Sequence, residues 1–170
     1  MSLGQVIVVD MGFEASSAAG VLVWANLGGA SGGALFGLLT QRFHLFKLTI
    51  GTLLLGTAMV ILFGTGFDNL YQLSLVSAAV GFFTNSGVVG LYAILAQVYS
   101  ASTRATGSGF AIGMGRGGAV LAPILAGFLF AAGQSLQTVS VIMGLGSTFA
   151  AVALWLLMQS RKSEAVAVET

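Results

Sequence analysis

The sequence predicts an all-α, polytopic membrane fold, a partial bundle of about five transmembrane helices. Three observations predict it. Only 6% of the 170 residues are charged and 56% are hydrophobic, whereas a soluble domain is about a quarter charged. Four windows, residues 15–41, 48–67, 69–103 and 117–160, contain no Asp, Glu, Lys or Arg, and a bilayer-crossing helix takes roughly 20 mainly apolar residues. Runs such as LTIGTLLLGTAMVILFGTGF do not alternate apolar and polar residues, as membrane strands do over about ten positions.

The spans follow in order. The first covers about 17–39, AAGVLVWANLGGASGGALFGLLT, and the second about 48–67. The third, about 71–98, is entered after Asp68-Asn69. The fourth, about 106–131, carries the stretch GMGRGGAV with Arg116 inside it. A short Gly133-Gln134-Ser135 break separates it from the fifth, about 137–158. Residues 5–9, QVIVV, are apolar but too short to span. Residues 1–16 therefore read as the end of a truncated helix and an external loop, 17–158 as the bundle, and 159–170 as a cytoplasmic tail.

Charge supports this count. With five spans, Arg42, His44, Lys47, Arg104, Arg161 and Lys162 fall on one side, and Asp10, Glu14 and Asp68 on the other. Cytoplasmic loops carry the Lys/Arg excess, so the basic side and the C-terminus are expected to be cytoplasmic.

Composition excludes several functions. With no Cys and a single His, neither a disulfide, a thiolate centre nor a histidine metal cluster can form. A net charge of +1 offers no basic patch for nucleic acid. The N-terminal MSLGQVIVVD lacks the features of a signal peptide. Gly113, Gly115 and Gly118 match G-x-G-x-x-G, but the strand and downstream acid of a dinucleotide site are missing. No cofactor is expected. No span holds an acid, His or Cys to act as base or ligand, which argues against a membrane enzyme.

Small residues and two polar features mark the spans. Gly29, Gly33 and Gly37 repeat every four residues on the first span, and Gly109, Gly113 and Gly117 on the fourth. Such faces pack helices closely where lipid removes any hydrophobic drive, and can also let them slide. Pro123 should bend the fourth helix by removing a backbone donor. Arg116 sits near mid-membrane, where a charge costs at least ~2.5–3.5 kcal/mol. At 100° per residue it shares the face of Gly109 and Gly113, which points into a bundle. It either satisfies carbonyls freed at Pro123 and polar groups such as Asn26, Asn85 or Gln97, or binds an anion from a hydrated cavity. A planar fork suits a carboxylate. Asn26 and Asn85, near mid-span, either bond helix to helix or line a pathway. Trp24, Phe82, Phe83 and Tyr92 read mainly as packing or lipid-facing residues, with stacking on a ring-bearing substrate as the sharper alternative.

From Tyr99 the sequence reads YSASTRATGSGFAIGMGRGGAVLAPILAGFL. This resembles the segment joining the tenth and eleventh helices of major facilitator superfamily transporters, and most of all the aromatic acid:proton symporter family. The resemblance is carried by Arg104-Ala105-Thr106-Gly107, by Gly109 and Gly113, by Gly115-Arg116-Gly117-Gly118, and by Pro123 with Ala126-Gly127. Ser100 stands where that family usually has Pro. The stretch from Gly37 through Gln41, Arg42 and His44 to Lys47 is similar to the superfamily's G-x-x-x-D-R-x-G-R-R loop. Gln41 replaces the acid of that loop, and His44 and Leu45 replace its Gly-Arg pair.

The resemblance implies that Arg116 faces a central cavity and that Arg104, with Arg42 and Gln41, belongs to the cytoplasmic gating interface. It implies a chain covering roughly helices eight to twelve, whose missing N-terminal half carries the proton-coupling carboxylates. The expected role is part of a secondary transporter in a bacterial inner membrane, taking up small organic anions such as aromatic carboxylates with protons. A non-transporting fragment or helix-packing module is the alternative, as is a superfamily transporter for sugars or drugs.

Overall fold

The computed structural model describes residues 15–67, 69–100 and 102–168, with side chains described between 19 and 161. Residues 5–9, read as the end of a truncated helix, and the acids Asp10, Glu14 and Asp68 lie outside the described residues. Five α-helices follow one another among the described residues: α1 Ala15–Leu39, α2 Leu45–Gly64, α3 Leu70–Val98, α4 Arg104–Ala131 and α5 Leu136–Val168. All five are long and apolar enough to cross a membrane, so this is an integral membrane protein. The boundaries match the expected spans except at the end of α5. That helix runs on past 158 to Val168, because QSRKSEAVAV contains neither Gly nor Pro to stop it.

Local chemistry sets the helix ends. Gly66, with φ 78°, closes α2 in a left-handed conformation that side chains disfavour. Asn69 caps α3 by accepting from the Tyr71 N–H at 2.9 Å. Gly133, with φ 77°, ends α4. There the Gln134 N–H donates to Leu129 O at 3.0 Å and the Gly133 N–H to Phe130 O at 2.9 Å, the paired bonds of a Schellman close. Ser135 then opens α5, its hydroxyl accepting from the Thr138 N–H at 3.3 Å.

The helices alternate in direction. Ser77 donates to Val21 O and Asn85 to Gly29 O, both pairs 56 positions apart, a constant offset that makes α1 and α3 parallel. Against α2 the order reverses: Gly56 meets Phe83, Gly87 meets Leu53 and Gly90 meets Thr49. Gly64 meets Ser140 and Gly144 meets Thr57, so α2 and α5 are antiparallel as well. Phe46, Leu53, Ile94, Ala151 and Leu154 form the main core where α2, α3 and α5 meet. Val21 and Leu73 form a smaller one at the opposite end. This alternation brings Arg42, Lys47, Arg104 and Arg161 to one end of the bundle, as their segregation in sequence requires.

Helix α4 is the outlier. It rests lightly on α3 and α5, and Ala126 is its one buried residue. Phe110, Met114, Val120 and Phe128 are all more than 60% exposed on it.

Candidate functional site

Helix α4 positions the lone intramembrane cation. Arg116 lies near the middle of this 28-residue helix, about 18 Å from its first residue at 1.5 Å per residue. Between residues 15 and 163 the sequence contains one acid, Asp68, in the connection between α2 and α3. No carboxylate within α1 to α4 is therefore available to neutralise the guanidinium.

Arg116 borders a cavity of about 760 Å3 between α3, α4 and α5, within the size range of small-molecule sites. The walls are mainly apolar, among them Leu91, Leu95, Ile112 and Leu157, and two phenols, Tyr92 and Tyr99, face the same space. Gly107 explains how Tyr99 gets there. A Cβ at that position would collide with the Tyr99 ring, so the glycine of the Arg104-Ala105-Thr106-Gly107 run is the seat on which the ring rests. Ala119 also lines the cavity. Its carbonyl is the one that loses its helical donor at Pro123, which places an unpaired acceptor one turn from Arg116. Two turns before Arg116, the buried Ser108 Oγ has no hydrogen-bond partner among the described residues.

Asn26 and Asn85 sit elsewhere. Both line a groove of about 520 Å3 along α1 and α3. Asn85 Nδ2 donates to Gly29 O at 2.6 Å, tying the two helices together. Asn26 Nδ2 donates to Leu22 O of its own helix at 2.8 Å. Neither amide reaches Arg116, and Val88 borders both spaces. Gln41, Arg42 and Arg104 are exposed at the basic end. The backbone N–H groups of Gln41 and Arg42 close only the local turn after α1.

The glycines divide unexpectedly. The closest approach of α1 to α3 uses Gly28 and Gly32, where a Cβ would strike the backbone of Ala78 and Phe82, with Gly81 answering against Ala25. Gly29 and Gly33 stand at the edge of that contact beside Asn85, and Gly37 has no neighbour within 4 Å. Gly109, Gly113 and Gly117 likewise have nothing within 4 Å among the described residues. Within this chain the packing face of α1 is thus turned by one residue from the expected stripe, and the α4 stripe is open. The reason is that α4 lies at the margin of the described helices, none of which covers that face.

Sequence reasoning missed the cavity role of Tyr99 and the Gly28/Gly32 contact. The four-residue spacing of Gly28 and Gly32 was visible, but two adjacent glycine stripes cannot be ranked without the partner helix. Tyr92, expected mainly to pack or face lipid, with stacking on a ring-bearing substrate as the alternative, borders the cavity.

The sequence model of the Major Facilitator Superfamily matches residues 1–169. The chain is 33% identical over 156 residues to the 3-(3-hydroxy-phenyl)propionate transporter of Escherichia coli, covering 91% of this chain and 38% of that protein. It is 34% identical over 123 residues to the benzoate transport protein of Acinetobacter baylyi, covering 72% and 26%. It is 29% identical over 156 residues to the gentisate transporter of Corynebacterium glutamicum, covering 91% and 35%. The chain therefore spans well under half the length of each of these relatives. No solved structure matches it significantly.

Proposed function

The chain belongs to the major facilitator superfamily, and we propose that it supplies part of a proton-coupled pathway for small aromatic carboxylates. The observation that carries this reading is the Arg116 cavity. A guanidinium at membrane depth with no carboxylate beside it among the described residues, two phenols and apolar walls match a flat ring bearing one carboxylate. The fork of the guanidinium pairs both carboxylate oxygens, while the walls take the ring. The named relatives transport hydroxyphenylpropionate, benzoate and gentisate, each a carboxylate on or near a ring. These names favour organic acids over sugars or drugs.

The proton-carrying group must come from outside α1 to α4, which hold no acid. The open glycine stripe of α4 suits close packing by further helices, and we assign that role to the rest of a transporter. Alternating access then comes from two halves rocking about a midplane site. In this reading Arg104, Arg42 and Gln41 belong to the gating interface at the basic end, and Asn85 and Asn26 line the pathway beside Val88.

The test is uptake of labelled benzoate into proteoliposomes under an imposed proton gradient, using the chain completed by a matching N-terminal half. Arg116→Ala should weaken apparent affinity at least about 30-fold, the loss expected when one partner of a buried charge pair is removed. Arg116→Lys should also transport poorly, since an ammonium lacks the fork. Undiminished uptake by Arg116→Ala would leave the arginine a structural role only.

A further inference from the structure

A second cavity opens at the basic end. It measures about 500 Å3 and lies between the α1–α2 loop, the last turn of α3 and the C-terminal part of α5. Its lining is mixed: Phe43, Leu45, Phe46 and Met158 are apolar, and His44, Gln97 and Arg161 are polar or charged. His44 precedes α2 without a side-chain capping bond and lines the cavity. Arg42 and Lys47 flank it in sequence. The nearest acid along the chain is Glu164, one turn beyond Arg161, and its side chain lies outside the described residues.

This cavity sits where the membrane helices end. A soluble anion would engage only the polar part of this lining, whereas a phospholipid engages both parts. Basic pockets between transmembrane helices attract anionic headgroups. We propose that the cavity binds an anionic phospholipid, with its phosphate held by Arg161, Gln97 and His44 and the upper part of an acyl chain against Phe46 and Met158. Because the α1–α2 loop, α3 and α5 all contribute, a bound lipid would tie together three segments far apart in the chain. The proposal is independent of the Arg116 cavity, which opens elsewhere among α3, α4 and α5.

Native mass spectrometry of the purified 170-residue chain, with phosphatidylglycerol and phosphatidylcholine in equimolar competition, tests it. The chain should retain phosphatidylglycerol preferentially. Arg161→Gln should reduce that preference roughly fivefold, the effect of one cation near a charged lipid surface. Gln97→Trp, which fills the cavity without removing charge, should reduce it too, while Gln137→Ala at the opposite end should not. Where Arg161→Gln fails to fold by circular dichroism, His44→Ala in the exposed loop takes its place. An unchanged preference in Arg161→Gln, or in His44→Ala in its stead, overturns the site. An unchanged preference in Gln97→Trp reduces it to general surface attraction and overturns the cavity. Displacement of the lipid by excess soluble glycerol phosphate overturns the lipid assignment in favour of a free organophosphate.

Discussion

Single residues divide into those that hold the bundle and those left open. Gly28 and Gly81 have backbone of the neighbouring helix where a Cβ would go, so a methyl there forces α1 from α3. Gly28→Ala or Gly81→Ala should destabilise the chain by about 1–3 kcal/mol, the usual cost of overpacking. Gly113→Ala meets nothing within 4 Å and should be neutral or stabilising, by up to ~1 kcal/mol of helix propensity. Thermal unfolding in one detergent compares the three, and equal effects would contradict the packing described. Asn85 is a milder case. Removing its bond to the Gly29 carbonyl with Asn85→Ala should cost about 0.6 kcal/mol, the average for polar contacts between membrane helices.

Among the elements, α4 carries the most consequence with the least packing. Its Pro123 leaves the Ala119 carbonyl without a helical donor, beside the cavity that Arg116 borders. Pro123→Ala returns that donor. We expect a stiffer and more stable α4, by up to ~3 kcal/mol, and slower transport in a completed protein if the carbonyl released at Pro123 serves the cycle. Unfolding and uptake measured on the same variant separate the two effects: greater stability with unchanged uptake would make Pro123 a neutral irregularity. The limits of this helix were legible in its apolar run and in Gly133. Its marginal seat was not, because nothing local in the run states how many neighbours a helix will have.

At the scale of the molecule, one end gathers the basic residues and the other does not. A bilayer sorts such ends, keeping the Lys/Arg-rich one in the cytoplasm. With no native Cys, a single Cys at position 44 should resist an impermeant thiol reagent in sealed right-side-out cells, and one at position 134 should react. The reverse pattern would invert the topology. On the proposed reading, the 170-residue chain alone should show no gradient-driven uptake of labelled benzoate, because the open α4 stripe awaits further helices and α1 to α4 hold no acid to carry a proton. Saturable uptake by the chain alone would mean that two copies can enclose a pathway between them.

What the sequence determined by itself was one-dimensional. The count of five helices, their limits within a few residues except at the C-terminal end of α5, which runs on to Val168, their alternation and the sorting of charge all follow from where apolar runs stop and where Arg and Lys stand. A bilayer of fixed thickness reads that pattern directly. Tertiary structure decided rotation and neighbourhood. It chose Gly28 and Gly32 over Gly29 and Gly33 for the α1–α3 contact, left Gly109, Gly113 and Gly117 uncovered, and grouped Arg116 with Tyr92 and Tyr99 instead of Asn26 and Asn85. In lipid every outward face is nearly equivalent in solvation, so hydrophobic pattern cannot orient a helix. Orientation falls to steric fit between particular backbones, and that exists only once the neighbouring helix is in place.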